Sequence, residues 1–417
     1  MRVAVVDQPI SSFAPPDDGG SISTWIYEVG RRLPPTISLT VFARLRPGDD
    51  EKETVENIFI RRVSVKRDLQ KIRWHNYLGK LPFPYTATKP FFASESYYRD
   101  YANRVADLIQ EGQFDLVHLH NFSQFIPIIK KTCPEIRIIL HMHCDWLRQL
   151  DRNVIESRLC DATRFIGCSE YITDGVRKRF PAFADKGSTI YNGFDSDRFS
   201  PDPNQNKDNA GKNSNLLFVG RITPEKGLHD LIEAFAAVNK AIPETTLMII
   251  GPHWVTAREF ILDLSDDPNV KNLKKYYRGH YPNLLRRNIG YGLRDRVHFK
   301  GLVAPSQLPD YYRKSAILIS PSISEAFGMP LVEAMGCGIP VVCTNVGGMP
   351  EIAEDGVAGR LVAPGDPQEL AEVLIDLLKD GKNLAEFGER GRDCALKRFT
   401  WDKIADKLMD EYGKTIV

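Results

Sequence analysis

The stretch Leu216-Leu217-Phe218-Val219-Gly220-Arg221-Ile222-Thr223-Pro224-Glu225-Lys226-Gly227 decides the fold. Its first four residues are a short apolar run that Gly220 closes. Leu228, Leu231, Ile232, Phe235 and Val238 follow at helical spacing, which predicts strand, loop and helix in succession. The N-terminus repeats this grammar: Val3 to Val6, then Asp17-Asp18-Gly19-Gly20, then Ile22, Trp25, Ile26, Val29 and Leu33. Two such openings half a chain apart predict an α/β protein with two doubly wound domains, each a parallel sheet joined by right-handed crossovers. Leu116–Leu119, Ile136–Met142, Leu247–Ile250, Ala316–Ile319 and Pro340–Val342 read as further buried strands. Residues 201–213 hold no apolar residue beyond Ala210 and read as the linker, giving domains at 1–200 and 214–399. Asp366, Pro367 and Glu369 predict an N-cap, a first-turn proline and a capping-box partner ahead of Leu370, Val373, Leu374, Leu377 and Leu378. From Thr400 onward, Trp401, Ile404, Ala405, Leu408, Met409 and Tyr412 form the apolar stripe of a last helix.

With 417 residues the chain has room for two or three domains. Its 55 Lys and Arg against 54 Asp and Glu give no overall field for nucleic acid, so a charged ligand must be met locally. Seven scattered cysteines without a Cys-x-x-Cys pair suggest neither a disulfide framework nor a zinc knuckle. No apolar run reaches the ~18 residues of a membrane span, and the N-terminal run is too short for a signal-peptide core. The expected location is the cytoplasm.

Two loops carry the chemistry. Ser320-Pro321-Ser322-Ile323-Ser324-Glu325-Ala326-Phe327-Gly328-Met329-Pro330-Leu331-Val332-Glu333 follows a strand and empties into a helix, with Pro330 at its first position. Backbone N–H groups at such a start suit a phosphate. Gly328 lets a ligand approach the main chain, Glu325 on the loop can reach sugar hydroxyls, and Glu333, expected in the first helical turn, can accept from a ribose diol. In the other loop Arg221 and Lys226 place two cations where a diphosphate would otherwise need a metal. Neither Gly-x-x-x-x-Gly-Lys-Ser/Thr nor Gly-x-Gly-x-x-Gly occurs.

The set Gly-Arg-x-x-x-x-Lys-Gly at 220–227, Glu-x-Phe-Gly with a second glutamate eight positions on at 325–333, Gly347-Gly348-Met349-Pro350-Glu351, and Asp355-Gly356-x-x-Gly359 resembles the retaining glycosyltransferases of family 4. Tyr191-Asn192-Gly193-Phe194-Asp195 with Phe199-Ser200-Pro201 resembles that family's segment before the linker. The resemblance implies the GT-B fold, two Rossmann-like domains facing across a cleft, with the helix in 400–417 crossing back to the first. It implies Arg221 and Lys226 on the donor diphosphate, Glu333 on the ribose, and Glu325 with the backbone of Phe327, Gly328, Met329 and Leu331 on sugar and phosphates. Gly19 and Gly20 are similar to the glycine loop that approaches phosphate or acceptor. Residues 299–303, Val303 among them, resemble the part that reads the base, and His143 the residue that contacts the donor sugar and is tied to catalysis. The activity implied is a retaining, metal-independent transfer from a nucleotide diphosphate sugar, UDP by family frequency, to a saccharide or lipid-linked glycan, with no cofactor required. A GT-B-like sugar-nucleotide epimerase and a non-catalytic sugar-nucleotide binder are the neighbouring readings.

His118-Leu119-His120 and His141-Met142-His143 each place two imidazoles on one face of a strand, the pattern of a metal hydrolase and the sharpest rival class. No acidic ligand motif accompanies them, and the role of His141 stays open. Asp195-x-Asp197 sits in a turn and reads as structural. Between Arg61 and Arg104, ten Lys or Arg face three acids and are interleaved with Trp74, Tyr77, Phe83, Tyr85, Phe91, Phe92, Tyr97 and Tyr98. Such a segment either clamps a glycan or docks on anionic lipid at the inner membrane face, or completes the first domain's packing. A second insert, His253–Arg296, reads as a basic surface excursion.

Overall fold

The computed structural model describes residues 1–14, 18–78, 85–202, 214–253 and 255–416. Asp17, Phe83 and the linker from 203 to 213 fall outside the described residues. The chain divides into two units, Met1–Asn192 with Trp401–Val417, and Gly193–Thr400.

Unit 1 is built on strands β1 (Arg2–Val6), β2 (Ser38–Arg44), β3 (Lys52–Val55), β4 (Ile58–Val63), β5 (Leu116–His120), β6 (Arg137–Met142), β7 (Arg164–Gly167) and β8 (Gly187–Thr189). They lie in the order β8-β7-β6-β5-β1-β2-β4-β3, all parallel except β3, which runs antiparallel at the edge. The strand order reverses between β1 and β5. Val3 to Val6 are all buried, as a strand with both faces covered requires. Helix α1 (Ser21–Gly30) follows the glycine loop and buries Ile22, Trp25, Ile26 and Val29. Helix α2 (Lys66–Leu78) starts the basic aromatic insert. Further along that insert Phe92, Tyr97 and Tyr98 are buried, so they complete the unit's packing, whereas Trp74 and Tyr77 on α2 are 65% and 79% exposed.

Unit 2 has six parallel strands: β9 (Asn215–Val219), β10 (Thr246–Ile250), β11 (Val297–Gly301), β12 (Ile317–Ser320), β13 (Val341–Thr344) and β14 (Gly359–Val362). Their order is β11-β10-β9-β12-β13-β14, a doubly wound sheet that reverses between β9 and β12. Helix α3 (Leu228–Ala241) packs Leu228, Leu231, Ile232, Phe235 and Val238 into the core, and α4 (Met329–Gly336) follows β12. The insert at 253–296 is not merely a surface excursion: Lys271, Lys274, Lys275, Arg278, Arg286 and Arg287 are exposed, but Tyr281 and Leu285 belong to the unit's core. Before helix α5 (Pro367–Lys379), Asp366 Oδ1 accepts from the Glu369 amide at 2.9 Å as expected of an N-cap. Glu369 does not return to the cap; its Oε2 accepts from the Ala363 amide at 2.6 Å, fastening the preceding loop instead.

The last helix, α6 (Trp401–Ile416), belongs to unit 1 and packs on α1 and β6. Asp402 pairs with Arg32 at 2.9 Å, Glu411 pairs with Arg164, and Tyr412 reaches His118 at 2.8 Å. Among the described residues no helix is long and apolar enough to cross a membrane.

Candidate functional site

In an open parallel sheet the crevice for a ligand lies beyond the carboxyl ends of the two strands that flank the reversal. In unit 2 those strands are β9 and β12, whose following loops are 220–227 and 321–328, the two that sequence singled out. The fold brings them together. Lys226 Nζ lies 2.5 Å from Glu325 Oε2, both side chains being mostly buried. Gly227, at φ 67, lies so close to the other loop that a Cβ there would sit 1.8 Å from the Pro321 carbonyl oxygen. Gly347, at φ 58, abuts the second loop from its other side, with a Cβ position 1.6 Å from the Glu325 carbonyl oxygen. Arg221 is more open, its side chain 44% exposed and its guanidinium 3.7 Å from Glu225.

Glu225 is a site residue that sequence did not single out. It is 1% exposed, and its carboxylate accepts from Thr223 Oγ1 at 2.5 Å and from Tyr277 Oη at 3.2 Å. Its carbonyl accepts from the Ile323 amide at 2.8 Å, so one buried residue ties the lysine loop to the glutamate loop. Only a surplus acid among loop cations hinted at this in the sequence.

Helix α4 starts at Met329 after Gly328, whose φ of 114 is a glycine conformation. Two expectations change here. Leu331 does not offer its N–H to a ligand, because that group donates to the Gly328 carbonyl at 3.0 Å, and Pro330 has none; Gly328 and Met329 are left at the helix start. Glu333 is not in the first turn, since the helix begins at Met329. It is partly buried one turn further in, where Tyr312 Oη donates to Oε2 at 2.6 Å. Burial raises its carboxyl to about 7, with the Tyr312 hydrogen bond and the charge of Arg198 acting the other way. Tyr312 was invisible in the sequence because it comes from a different helix. Phe327 is buried with its ring on Phe399, and Val303 is buried beside an exposed Leu302.

Gly19, Gly20 and His143 belong to unit 1. Gly19 pairs with Phe13 in a short antiparallel ladder. Gly20 precedes α1 with φ −72, and among the described residues a Cβ there would meet nothing within 4 Å, so none of them demands a glycine. His143 follows β6; its amide donates to Asn121 Oδ1 at 2.7 Å, and its Nε2 lies 2.9 Å from His120 Nδ1. Burial lowers its imidazole to about 3, with Asn192 acting to raise it. His118, His120 and His141 are fully buried beneath Trp25, so the two His-x-His pairs do converge, inside the unit rather than at an open surface. Asp195 is structural as expected: its Oδ1 accepts from the amides of Asp197 and Arg198, both at 3.0 Å.

Residues 201–393 match the family model described as glycosyl transferases group 1, and residues 20–198 match glycosyltransferase family 4. Across its whole length the chain is 27% identical to D-inositol 3-phosphate glycosyltransferase 2 of Catenulispora acidiphila, covering 95% of that protein. Among solved structures it is similar to sucrose-phosphate synthase from Thermosynechococcus elongatus, with a TM-score of 0.74 at 20% identity over 99% of this chain and 98% of the other. Anabaena HepE, solved in complex with UDP and glucose, gives a TM-score of 0.69 at 20% identity over 99% of both chains. These structural neighbours are of the GT-B class.

Proposed function

The chain belongs to the group 1 glycosyltransferases, and we propose that it moves a sugar from a UDP-sugar to a hydroxyl of a saccharide or lipid-linked glycan, with retention at the anomeric carbon and no divalent metal on the diphosphate. The nucleotide-sugar donor is common to the family's activity; UDP is supported by the UDP and glucose held in HepE. The observation that carries the reading is the meeting of Lys226 and Glu325 at the sheet reversal, next to the start of α4.

In this account Arg221, Lys226 and the N–H groups of Gly328 and Met329 receive the negative charge that develops on the diphosphate as its bond to the anomeric carbon breaks. Two fixed cations do there what a metal ion does elsewhere. Glu333 accepts from the ribose diol, Val303 and its neighbours line the base, and Glu325 and the backbone at Phe327 hold the donor sugar. To unit 1 we assign a contact to the donor sugar through His143, and to phosphate or acceptor through Gly19 and Gly20. The acceptor oxygen bonds to the anomeric carbon on the face the diphosphate leaves, and its proton passes to the departing phosphate oxygen. The test is NMR of product formed in EDTA from an α-linked UDP-sugar: an α-linked product supports the account, and a β-linked product or an absolute metal requirement overturns it.

Helix α2 carries exposed Lys66, Arg67, Lys71 and Arg73 beside exposed Trp74 and Tyr77, the pattern that sits at an anionic lipid surface. A lipid-linked acceptor would be met there, with the enzyme at the cytoplasmic face. Sedimentation with phosphatidylglycerol vesicles tests this, since W74A/Y77A should release the protein; wild-type protein that stays in the supernatant contradicts it.

A further inference from the structure

His118 and His120 on β5 and His141 on β6 are 0% exposed, flanked along their strands by Val117, Leu119, Leu140 and Met142. Their hydrogen bonds form two short chains. In one, Tyr412 Oη lies 2.8 Å from His118 Nδ1, and His118 Nε2 lies 3.2 Å from His141 Nδ1. In the other, His143 Nε2 lies 2.9 Å from His120 Nδ1. Each chain ends on a buried ring nitrogen without a partner, Nε2 of His141 and Nε2 of His120.

Along each chain a ring nitrogen carries a proton only where the atom facing it does not, so one proton ordering leaves each terminal Nε2 as a lone pair: His143 Nε2 accepts from His120 Nδ1–H, and Tyr412 Oη accepts from His118 Nδ1–H while His118 Nε2 accepts from His141 Nδ1–H. In that ordering the Nε2 atoms of His120 and His141 are acceptors that nothing among the described residues fills, on rings whose other nitrogen donates to a further histidine, the outer-shell arrangement that orients metal-binding imidazoles. Ring nitrogens of His118, His120 and His141 all lie within 4.8 Å of one another. Trp25 covers the group, its ring centroid 4.7 Å from that of His141 and 5.5 Å from that of His120. Asp7, just past the Val6–Leu119 pair, accepts from the Gln8 amide at 2.8 Å and from Ser23 Oγ at 3.4 Å, so among the described residues the cluster itself is made of imidazoles.

We propose that this cluster binds one transition-metal dication of the zinc class through Nε2 of His120 and Nε2 of His141, with His118 and His143 in the outer shell, hydrogen-bonded to those two ligands. The ion's role is structural: it joins β5 to β6 and, through His118 and Tyr412, to α6. Its ligands belong to unit 1 and are not among the residues assigned to the diphosphate; His143 in its outer shell is shared with the donor-sugar assignment, so metal content and cobalt spectra rather than activity are the readout. One buried water donating to the same two lone pairs is the competing occupant, and metal analysis separates them.

The experiment uses tag-free full chain, stripped with EDTA, reloaded with Zn²⁺ or Co²⁺ and freed of excess by gel filtration. The expected result is about one equivalent of metal per chain, visible cobalt absorption from imidazole ligands, and a higher Tm in the loaded protein. H120N and H141N, checked for folding by circular dichroism, should each lose the cobalt bands. Wild-type protein that reloads to less than about a tenth of an equivalent with no cobalt bands and no change in Tm overturns the proposal. So does a folded H120N/H141N double variant that binds as much metal as wild type.

Discussion

Lys226 Nζ lies 2.5 Å from Glu325 Oε2, joining two loops that are 99 residues apart in the chain. The two charges hold each other where the sheet of unit 2 reverses, so the lysine is already oriented before a diphosphate arrives. K226A should lower kcat/KM by about 10²–10³, the usual loss when a group that meets developing charge is removed. K226R should recover part of this. Steady-state kinetics measure it, with the urea midpoint as control; unchanged turnover in a folded K226A protein contradicts the phosphate role.

Glu333 gives a pH dependence with a defined sign. Its carboxyl is raised from 4.5 to about 7 by burial, so it is a carboxylate, and the better acceptor for a ribose hydroxyl, only above that value. KM for the donor should fall as pH rises through about 7 in wild type and change little in E333Q. Stability moves the opposite way: the folded state favours the protonated acid, so this group's contribution is full below 4.5 and lost as pH rises through about 7. A flat KM profile for wild type across this range contradicts the assignment.

Three glycines separate strain from ligand approach. Gly227 and Gly347 have positive φ and face carbonyl oxygens at 1.8 and 1.6 Å from a would-be Cβ, so G227A and G347A should each cost about 2–4 kcal/mol in unfolding measurements. At Gly20 a Cβ meets nothing within 4 Å among the described residues. G20A should therefore stay within about 1 kcal/mol of wild type, the usual cost of alanine at an N-cap, while losing activity if substrate approaches that backbone. Full activity in G20A removes Gly20 from the site.

The imidazole cluster should make unit 1 acid-labile. Burial holds His118 and His143 near 3, below the ordinary 6.5, so they contribute their full stability above 6.5 and lose it as pH falls toward 3. Each such group removes about 1.4 kcal/mol per pH unit inside that window, and coupling within the cluster keeps the total below the sum. The urea midpoint followed from pH 7.5 to 4.5 should drop steeply once below 6.5, and H118Q should shallow the slope. A midpoint level across that range would show that the rings are not buried neutral.

The parallel sheets were legible because buried strands such as Val3–Val6 and Leu216–Val219 are apolar runs bounded by glycine loops, a local signal. The loops 220–227 and 321–328, which we propose as the diphosphate site, were legible as strand-to-helix loops for the same reason. What joins them was not. Glu225 looks like an ordinary loop acid until Tyr277, 52 residues away, donates to it, and Tyr312 meets Glu333 only through the packing of two helices. The placement of Glu333 in the first turn came from starting the helix one residue too late, because a left-handed Gly328 makes Met329 its first residue. The histidine pairs were visible as alternation on two strands, but their convergence depends on the register that sets His120 beside His141.

The most direct test of the central claim, that the β9 and β12 loops of unit 2 form a donor diphosphate site, is titration calorimetry of UDP and a panel of nucleotide sugars in EDTA, comparing wild type with K226A. The account predicts binding of UDP and at least one UDP-sugar by wild type, weakened at least about tenfold in a folded K226A protein, the loss expected of one charge-assisted contact. Binding of equal strength in both proteins, or no binding of any nucleotide sugar by wild type, contradicts it.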